Sequence, residues 1–294
     1  MANHAADDVL ELVRELSPDG RGRAVTAETR LADIGFDSIA CAEFAALAQE
    51  RFGLDLADGA VTGVSTAGEL AEVVDGAAAA GLRQAGVPIG LGRFQGAIKR
   101  GVTSVMGWWF DLRVQRPERM PVRGPVVMCM NHESALDVPV AIAASPRPIT
   151  FMAKKELFRS SRTARIVHEL GGFSVERGAF DLRAVEIALA VLERGQVLGM
   201  YPEGTRTPGV LLPFLPGAAW AALKTGAALL PLAIMGTESA MPPDRKLPKR
   251  VPIRVSFGEA IEVARVDDVA GRRKEAGRLT EELRARVEGM LATG

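Results

Sequence analysis

Of the three histidines in the chain, His132 stands in a motif, five residues before Asp137 in Asn131-His132-Glu133-Ser134-Ala135-Leu136-Asp137. On one continuous helix that spacing keeps two side chains apart, because neighbours on a face are three or four residues apart. A histidine in a turn and an aspartate in the first turn of the following helix can still meet. An imidazole held by a carboxylate at one nitrogen has its other nitrogen fixed as a proton acceptor, which is the base and orienter half of a catalytic triad. The chain supplies no evident nucleophile beside it. Ser134, the nearest hydroxyl, lies in the same tight loop and is equally explained as a helix cap. The pair is therefore suited to activating a hydroxyl or amine that belongs to a substrate. Taken alone, the spacing is also that of a turn histidine beside a capping aspartate.

The elements that must position the pair are readable on either side. Val126-Val127-Met128-Cys129-Met130 is an apolar run, and Val138-Pro139-Val140-Ala141-Ile142-Ala143-Ala144 has the composition of a buried helix, so the segment predicts strand, turn, helix. Loops at strand ends are where α/β proteins keep their chemistry. Three later stretches repeat the theme: Gly171-Gly172-Phe173-Ser174-Val175-Glu176-Arg177-Gly178, Tyr201-Pro202-Glu203-Gly204-Thr205-Arg206-Thr207 after the apolar run 196–200, and Ala228-Leu229-Leu230-Pro231-Leu232-Ala233-Ile234, which predicts a strand interrupted by proline.

In order and spacing these four blocks resemble those of the glycerophospholipid acyltransferases, the family typified by 1-acyl-glycerol-3-phosphate acyltransferase. The resemblance runs from about Trp108 to Phe257 and implies acyl transfer, with His132 as general base on an acceptor hydroxyl and Asp137 as its orienter. It further implies that Arg177, Glu203, Gly204, Thr205 and Arg206 bind the acceptor's phosphate and shape the site. Guanidinium forks match phosphate geometry, and a glycine lets backbone approach a ligand closely. One segment departs from the family: where it has Phe-Lys-x-Gly, this chain reads Phe214-Leu215-Pro216-Gly217, without the positive charge.

The first 80 residues have a different character. They hold 15 Asp and Glu against 5 Lys and Arg, a net of −10, while the rest of this neutral chain carries +10. That split predicts two domains of opposite sign that attract one another. Helical patterns cover 7–16, with apolar positions Val9, Leu10, Leu12, Val13 and Leu16, then a segment from Ser38 to about Phe52, then 66–78. Ile34-Gly35-Phe36-Asp37-Ser38-Ile39 is similar to the Leu-Gly-x-Asp-Ser-Leu attachment signature of acyl carrier proteins. That resemblance, over about Asp8 to Val74, implies a 4′-phosphopantetheine arm on Ser38, placed by a phosphopantetheinyl transferase. The serine also has the plainer reading of a helix cap.

Domain limits of 1–78 for the carrier, 79–93 for an Ala/Gly-rich linker and 94–294 for the acyltransferase follow from these patterns. If about 16 residues of the linker are flexible coil, its ends average roughly 20–25 Å apart, which sets a tethered donor at an effective concentration on the order of millimolar. The segment 94–114, with Trp108, Trp109, Phe110, Lys99 and Arg100, suits either a lipid interface or the core beneath the sheet. No run reaches 18 uninterrupted apolar residues, so a spanning helix is not expected. With no secretory signal at 1–8 and two widely spaced cysteines, Cys41 and Cys129, the location expected is cytoplasmic, with peripheral contact at the inner membrane face.

The fold expected is a four-helix carrier bundle followed by an α/β acyltransferase with a mixed central sheet flanked by helices. The donor is an acyl thioester, the chain's own carrier in cis or acyl-CoA. The acceptor is glycerol-3-phosphate, a lysophospholipid or a related hydroxyl; a non-phospholipid hydroxyl or amine, or a purely carrying and docking role, is the alternative. Neither a metal nor a nucleic-acid partner is expected.

Overall fold

The computed structural model describes residues 3–17, 24–52, 56, 64–80, 95–175, 182–242, 245 and 247–293. Its helices are Asn3–Leu16 (α1), Ser38–Phe52 (α2), Ala67–Ala80 (α3), Gln95–Phe110 (α4), Asp137–Ala144 (α5), Ser161–Glu169 (α6), Leu182–Glu193 (α7), Gly217–Thr225 (α8), Thr237–Ala240 (α9) and Val269–Thr293 (α10). Its strands are Arg113–Gln115 (β1), Val126–Met130 (β2), Ile149–Lys154 (β3), Gly172–Val175 (β4), Val197–Met200 (β5), Ala228–Met235 (β6) and Arg254–Phe257 (β7). They divide into two compact units, Met1–Pro88 with Val175–Ile187, and Ile89–Ser174 with Ala188–Gly294. From residue 81 onward the expected linker lies outside the described residues.

A strand that is apolar at every position can be buried on both faces, and β2 is: all five of its side chains are buried. It is the central member of a seven-stranded mixed sheet among the described residues, in the order β1-β7-β6-β2-β5-β3-β4. β2 runs parallel to both β5 and β6, β3 parallel to β5, and β1 parallel to β7, whereas β6 and β7 are antiparallel. Parallel neighbours require crossover connections, and helices such as α5 and α8 provide them. Because β2, β5 and β6 point the same way, the loops that follow them emerge at one end of the sheet.

Pro231 does not interrupt β6, which is continuous through it. Its missing N–H falls where the ladder to the neighbouring chain slips. Leu232 pairs with Phe257 but Leu229 pairs with Ile261, three residues on one side against four on the other. A bulge of this kind is where a strand tolerates proline.

Within residues 1–88 the described residues form three α-helices and a 3₁₀ turn at Leu31–Ile34. Val9, Leu12, Val13 and Leu16 of α1 are buried with Phe44, Leu70 and Val74, each contributing about 1.5–3 kcal/mol by leaving water. Phe36 meets Phe44 edge-on at 6.2 Å. α3 is capped reciprocally: Thr66 Oγ1 accepts the Glu69 N–H, and the Glu69 carboxylate accepts that of Ser65.

Candidate active site

β2 ends at Met130, and the next two residues are tied down at once. Asn131 makes a two-way amide clamp on β6: its Nδ2 donates to the Ile234 carbonyl at 2.8 Å and its Oδ1 accepts the Ile234 N–H at 2.9 Å. His132 follows in the loop, and α5 begins at Asp137, so the pair straddles the turn as the spacing predicts. His132 Nδ1 lies 2.8 Å from Asp137 Oδ2, with the two side chains 5% and 0% exposed. Asp137 Oδ2 also accepts the Glu133 and Ser134 backbone N–H groups, each at 2.8 Å, and its Oδ1 accepts the Thr237 hydroxyl at 2.6 Å. With two backbone N–H groups and the Thr237 hydroxyl already donating to it, the carboxylate acts as an acceptor, which assigns the His132 hydrogen to Nδ1 and leaves Nε2 as a proton acceptor.

The ring is fixed from its face as well. Tyr201, the first residue after β5, stacks on His132 at 4.0 Å and 25°, and Phe151 of β3 stacks with Tyr201 at 6.2 Å and 19°. Phe151 can lie there because Gly199 has no side chain: a Cβ at that position would sit 2.2 Å from Phe151 Cε1.

Glu203 braces the loop backbone. Oε1 accepts the His132 N–H at 2.8 Å, while Oε2 accepts the Thr207 hydroxyl and the Leu212 N–H, both at 2.9 Å. Thr207 N–H in turn reaches the His132 carbonyl at 2.9 Å. Both Glu203 oxygens are thus engaged within the fold. Gly204 adopts φ 70° to close the turn onto the Tyr201 carbonyl, and Thr205 and Arg206 beyond it are exposed. Arg177 lies outside the described residues. Ser134 does not cap α5 through a first-turn donor beyond Leu136; its hydroxyl donates to the Met241 carbonyl at 3.0 Å and accepts the Leu136 N–H at 3.3 Å.

Thr237, Tyr201 and Asn131 are parts of the site that motif reading assigned no role. Gly236-Thr237 directly after the fourth block is the available signal for Thr237, and it becomes meaningful once β6 is known to adjoin β2. Near the pair, Glu133 is pushed up to about 8, first by burial and then by the hydrogen bond and charge of Glu238.

Ser38 is the first residue of α2, and the capping role belongs to its neighbour: Asp37 Oδ1 accepts the Ile39 and Ala40 N–H groups, both at 3.0 Å. Gly35 turns the chain there at φ 67°, and Phe36 and Ile39 anchor the turn in the core. A phosphodiester on Ser38 would lie at the positive end of the helix, so the residues present fit the arm. Among the described residues no group of three or more His, Cys, Asp and Glu is arranged to hold a metal.

The fold is an α/β domain whose mixed sheet holds a histidine and aspartate at the end of its central strand. Residues 111–235 match the acyltransferase family, and residues 7–74 match the phosphopantetheine attachment site family. The chain is therefore a phosphopantetheine-binding carrier domain followed by an acyltransferase-family domain, as the two resemblances predict. It is 26% identical to the 1-acyl-sn-glycerol-3-phosphate acyltransferase of Bacillus subtilis over 60% of this chain and 86% of that protein. It is 30% identical to the protein of that name from Borreliella burgdorferi over 42% of this chain and 50% of that one. The crystal structure of the 1-acyl-sn-glycerophosphate acyltransferase PlsC from Thermotoga maritima superposes with a TM-score of 0.55 at 25% identity, covering 67% of this chain and 80% of that one.

Proposed function

We propose that the chain moves an acyl group from a thioester, carried on the phosphopantetheine of its own Ser38, to a hydroxyl of a glycerophosphate-type acceptor such as glycerol-3-phosphate or a lysophospholipid. The observation that carries this reading is the buried His132 Nδ1 to Asp137 Oδ2 contact of 2.8 Å. The arm supplies the thiol on which the acyl group is activated. His132 Nε2 takes the proton of the acceptor hydroxyl as that oxygen bonds to the acyl carbon. The carbon–sulfur bond then breaks, and His132 gives the proton to the departing sulfur. Asp137 holds the imidazole in the right tautomer throughout and stabilises the transient imidazolium. Such general-base assistance contributes roughly 10²–10⁴-fold in rate. Arg206, exposed in the turn after β5, and Arg177 are the side chains of this reading that meet the acceptor's phosphate.

The test is intact-protein mass spectrometry of the acyl-loaded chain with and without lysophospholipid, comparing wild type with His132→Ala. Wild type is expected to shed its acyl mass only with acceptor present, and the variant to keep it. If both keep it, either the acceptor class is wrong or acyl-CoA is the donor, and an acceptor screen with acyl-CoA separates the two.

A further inference from the structure

Asp137 holds the side chain of His132, and the main chain of His132 is held from another direction. Its N–H donates to Glu203 Oε1 at 2.8 Å and its carbonyl accepts the Thr207 N–H at 2.9 Å, so the loop after β5 takes both backbone groups of this one residue. Glu203 Oε2 accepts the Thr207 hydroxyl and the Leu212 N–H, both at 2.9 Å, which ties the later limb of the loop to the same carboxylate. The loop itself is closed: the Gly204 N–H is on the Tyr201 carbonyl at 3.0 Å, and the Leu215 N–H is on the Pro202 carbonyl at 2.8 Å. Glu203 is only 6% exposed, whereas Arg206, three residues on, is exposed. The turn thus divides its charged residues, with a carboxylate inward to the His132 loop and a guanidinium outward to solvent. A carboxylate facing an acceptor's phosphate would repel it; facing inward, this one is matched by donors from the fold.

We propose that Glu203 is a positioning residue: it sets the main chain of His132 against the turn that carries Arg206, and does not itself bind the acceptor. The inference rests on His132 being the general base, and it leaves the acceptor's phosphate to side chains such as Arg206. The chemistry of the site demands a carboxylate of this length. Glutamine fills the same volume but has one acceptor oxygen and one NH₂ group. Whichever way that amide is turned, its NH₂ meets a backbone donor, the His132 N–H on one side or the Leu212 N–H on the other, and a buried N–H loses its partner. Aspartate keeps both oxygens but is one methylene short of spanning the two limbs. A displacement of about 1 Å in a catalytic group costs on the order of 10²-fold in rate, while contacts to the substrate elsewhere are untouched.

The test compares wild type with Glu203→Gln, Thr207→Val and Arg206→Ala, each as the acyl-loaded holo chain with a lysophosphatidate acceptor, and reads kcat and KM separately. Glu203→Gln should lower kcat about 10–100-fold with the acceptor KM within about twofold of wild type, whereas Arg206→Ala should raise KM. Thr207→Val removes one donor from Oε2 and leaves both main-chain bonds of His132 in place. It should lower kcat several-fold at constant KM, which keeps the test open if the glutamine variant does not fold. A second readout needs no turnover. The chain has three histidines, so ¹⁵N-histidine labelling gives three backbone amide signals. The His132 signal should move upfield and its exchange with solvent quicken in Glu203→Gln, and both should stay as in wild type in Arg206→Ala. A Glu203→Gln enzyme whose acceptor KM rises while kcat and the His132 amide are unchanged overturns the proposal. Transfer retained by His132→Ala overturns the general-base reading, and with it the catalytic role of Glu203; an unmoved His132 amide in Glu203→Gln beside an inactive His132→Ala overturns the positioning proposal alone.

Discussion

Asp137 shows how much of a candidate catalytic aspartate's environment is local. Three of its four donors, His132 Nδ1 and the N–H groups of Glu133 and Ser134, come from within five residues, because a loop that turns into a helix wraps its backbone around the first helical side chain. The fourth, Thr237, is 100 residues away and makes the shortest bond. A hydrogen bond to a charged acceptor contributes about 1.5–3 kcal/mol, so Thr237→Val, which keeps the shape, should lower kcat about 10–100-fold with KM little changed. An unaltered kcat in steady-state assays would remove Thr237 from the orienting set. The His132–Asp137 contact was legible in the sequence for the same reason that it is local. The Thr237 contact was not, because it depends on which strand lies beside β2.

At the scale of elements, the β strands act through what they omit as much as through what they carry. Gly199 of β5 leaves room for Phe151, and Phe151 backs the Tyr201 ring that faces His132. A methyl group at 199 cannot be accommodated without moving that stack, so Gly199→Ala should destabilise the protein by about 1–3 kcal/mol and lower kcat, read by urea unfolding and steady-state kinetics. In the carrier unit, Asp37 satisfies the N–H groups of Ile39 and Ala40 at the start of α2. Asp37→Ala should cost about 1 kcal/mol in chemical denaturation of that unit, and an unchanged unfolding curve would show the cap to be dispensable. The two tryptophans of α4 have different surroundings. Trp109 packs against the core, while Trp108 is 70% exposed and lies under Arg250, whose guanidinium carbon is 5.9 Å from the ring.

For the whole molecule, the proposed delivery from Ser38 of the same chain has a kinetic consequence. If the linker is flexible coil, a donor at an effective concentration on the order of millimolar exceeds about micromolar chains in solution by about 10³-fold. Equimolar Ser38→Ala and His132→Ala chains, mixed at about micromolar concentration, should therefore transfer slower than wild type by roughly that factor, with a rate that rises with concentration. Mixtures as fast as wild type would assign delivery to a second chain. No helix among the described residues is long and apolar enough to cross a membrane.

The sequence by itself determined the elements and the local chemistry. Unbroken apolar runs specify strands covered on both faces, a turn places His132 within reach of Asp137, and Gly35-Phe36-Asp37-Ser38 specifies a sharp entry into α2. These depend on periodicity and on contacts a few residues apart, which a linear reading captures. The tertiary structure alone decided that β5 and β6 flank β2, and with that the long-range parts of the site: the Asn131 clamp on Ile234, the Tyr201 stack, the Glu203 brace and the Thr237 bond. Strand order is set by the packing of whole helices and strands against one another. No spacing along the chain encodes it directly, which is why a linear reading does not show that Glu203 joins the His132 N–H through one oxygen to Thr207 and Leu212 through the other.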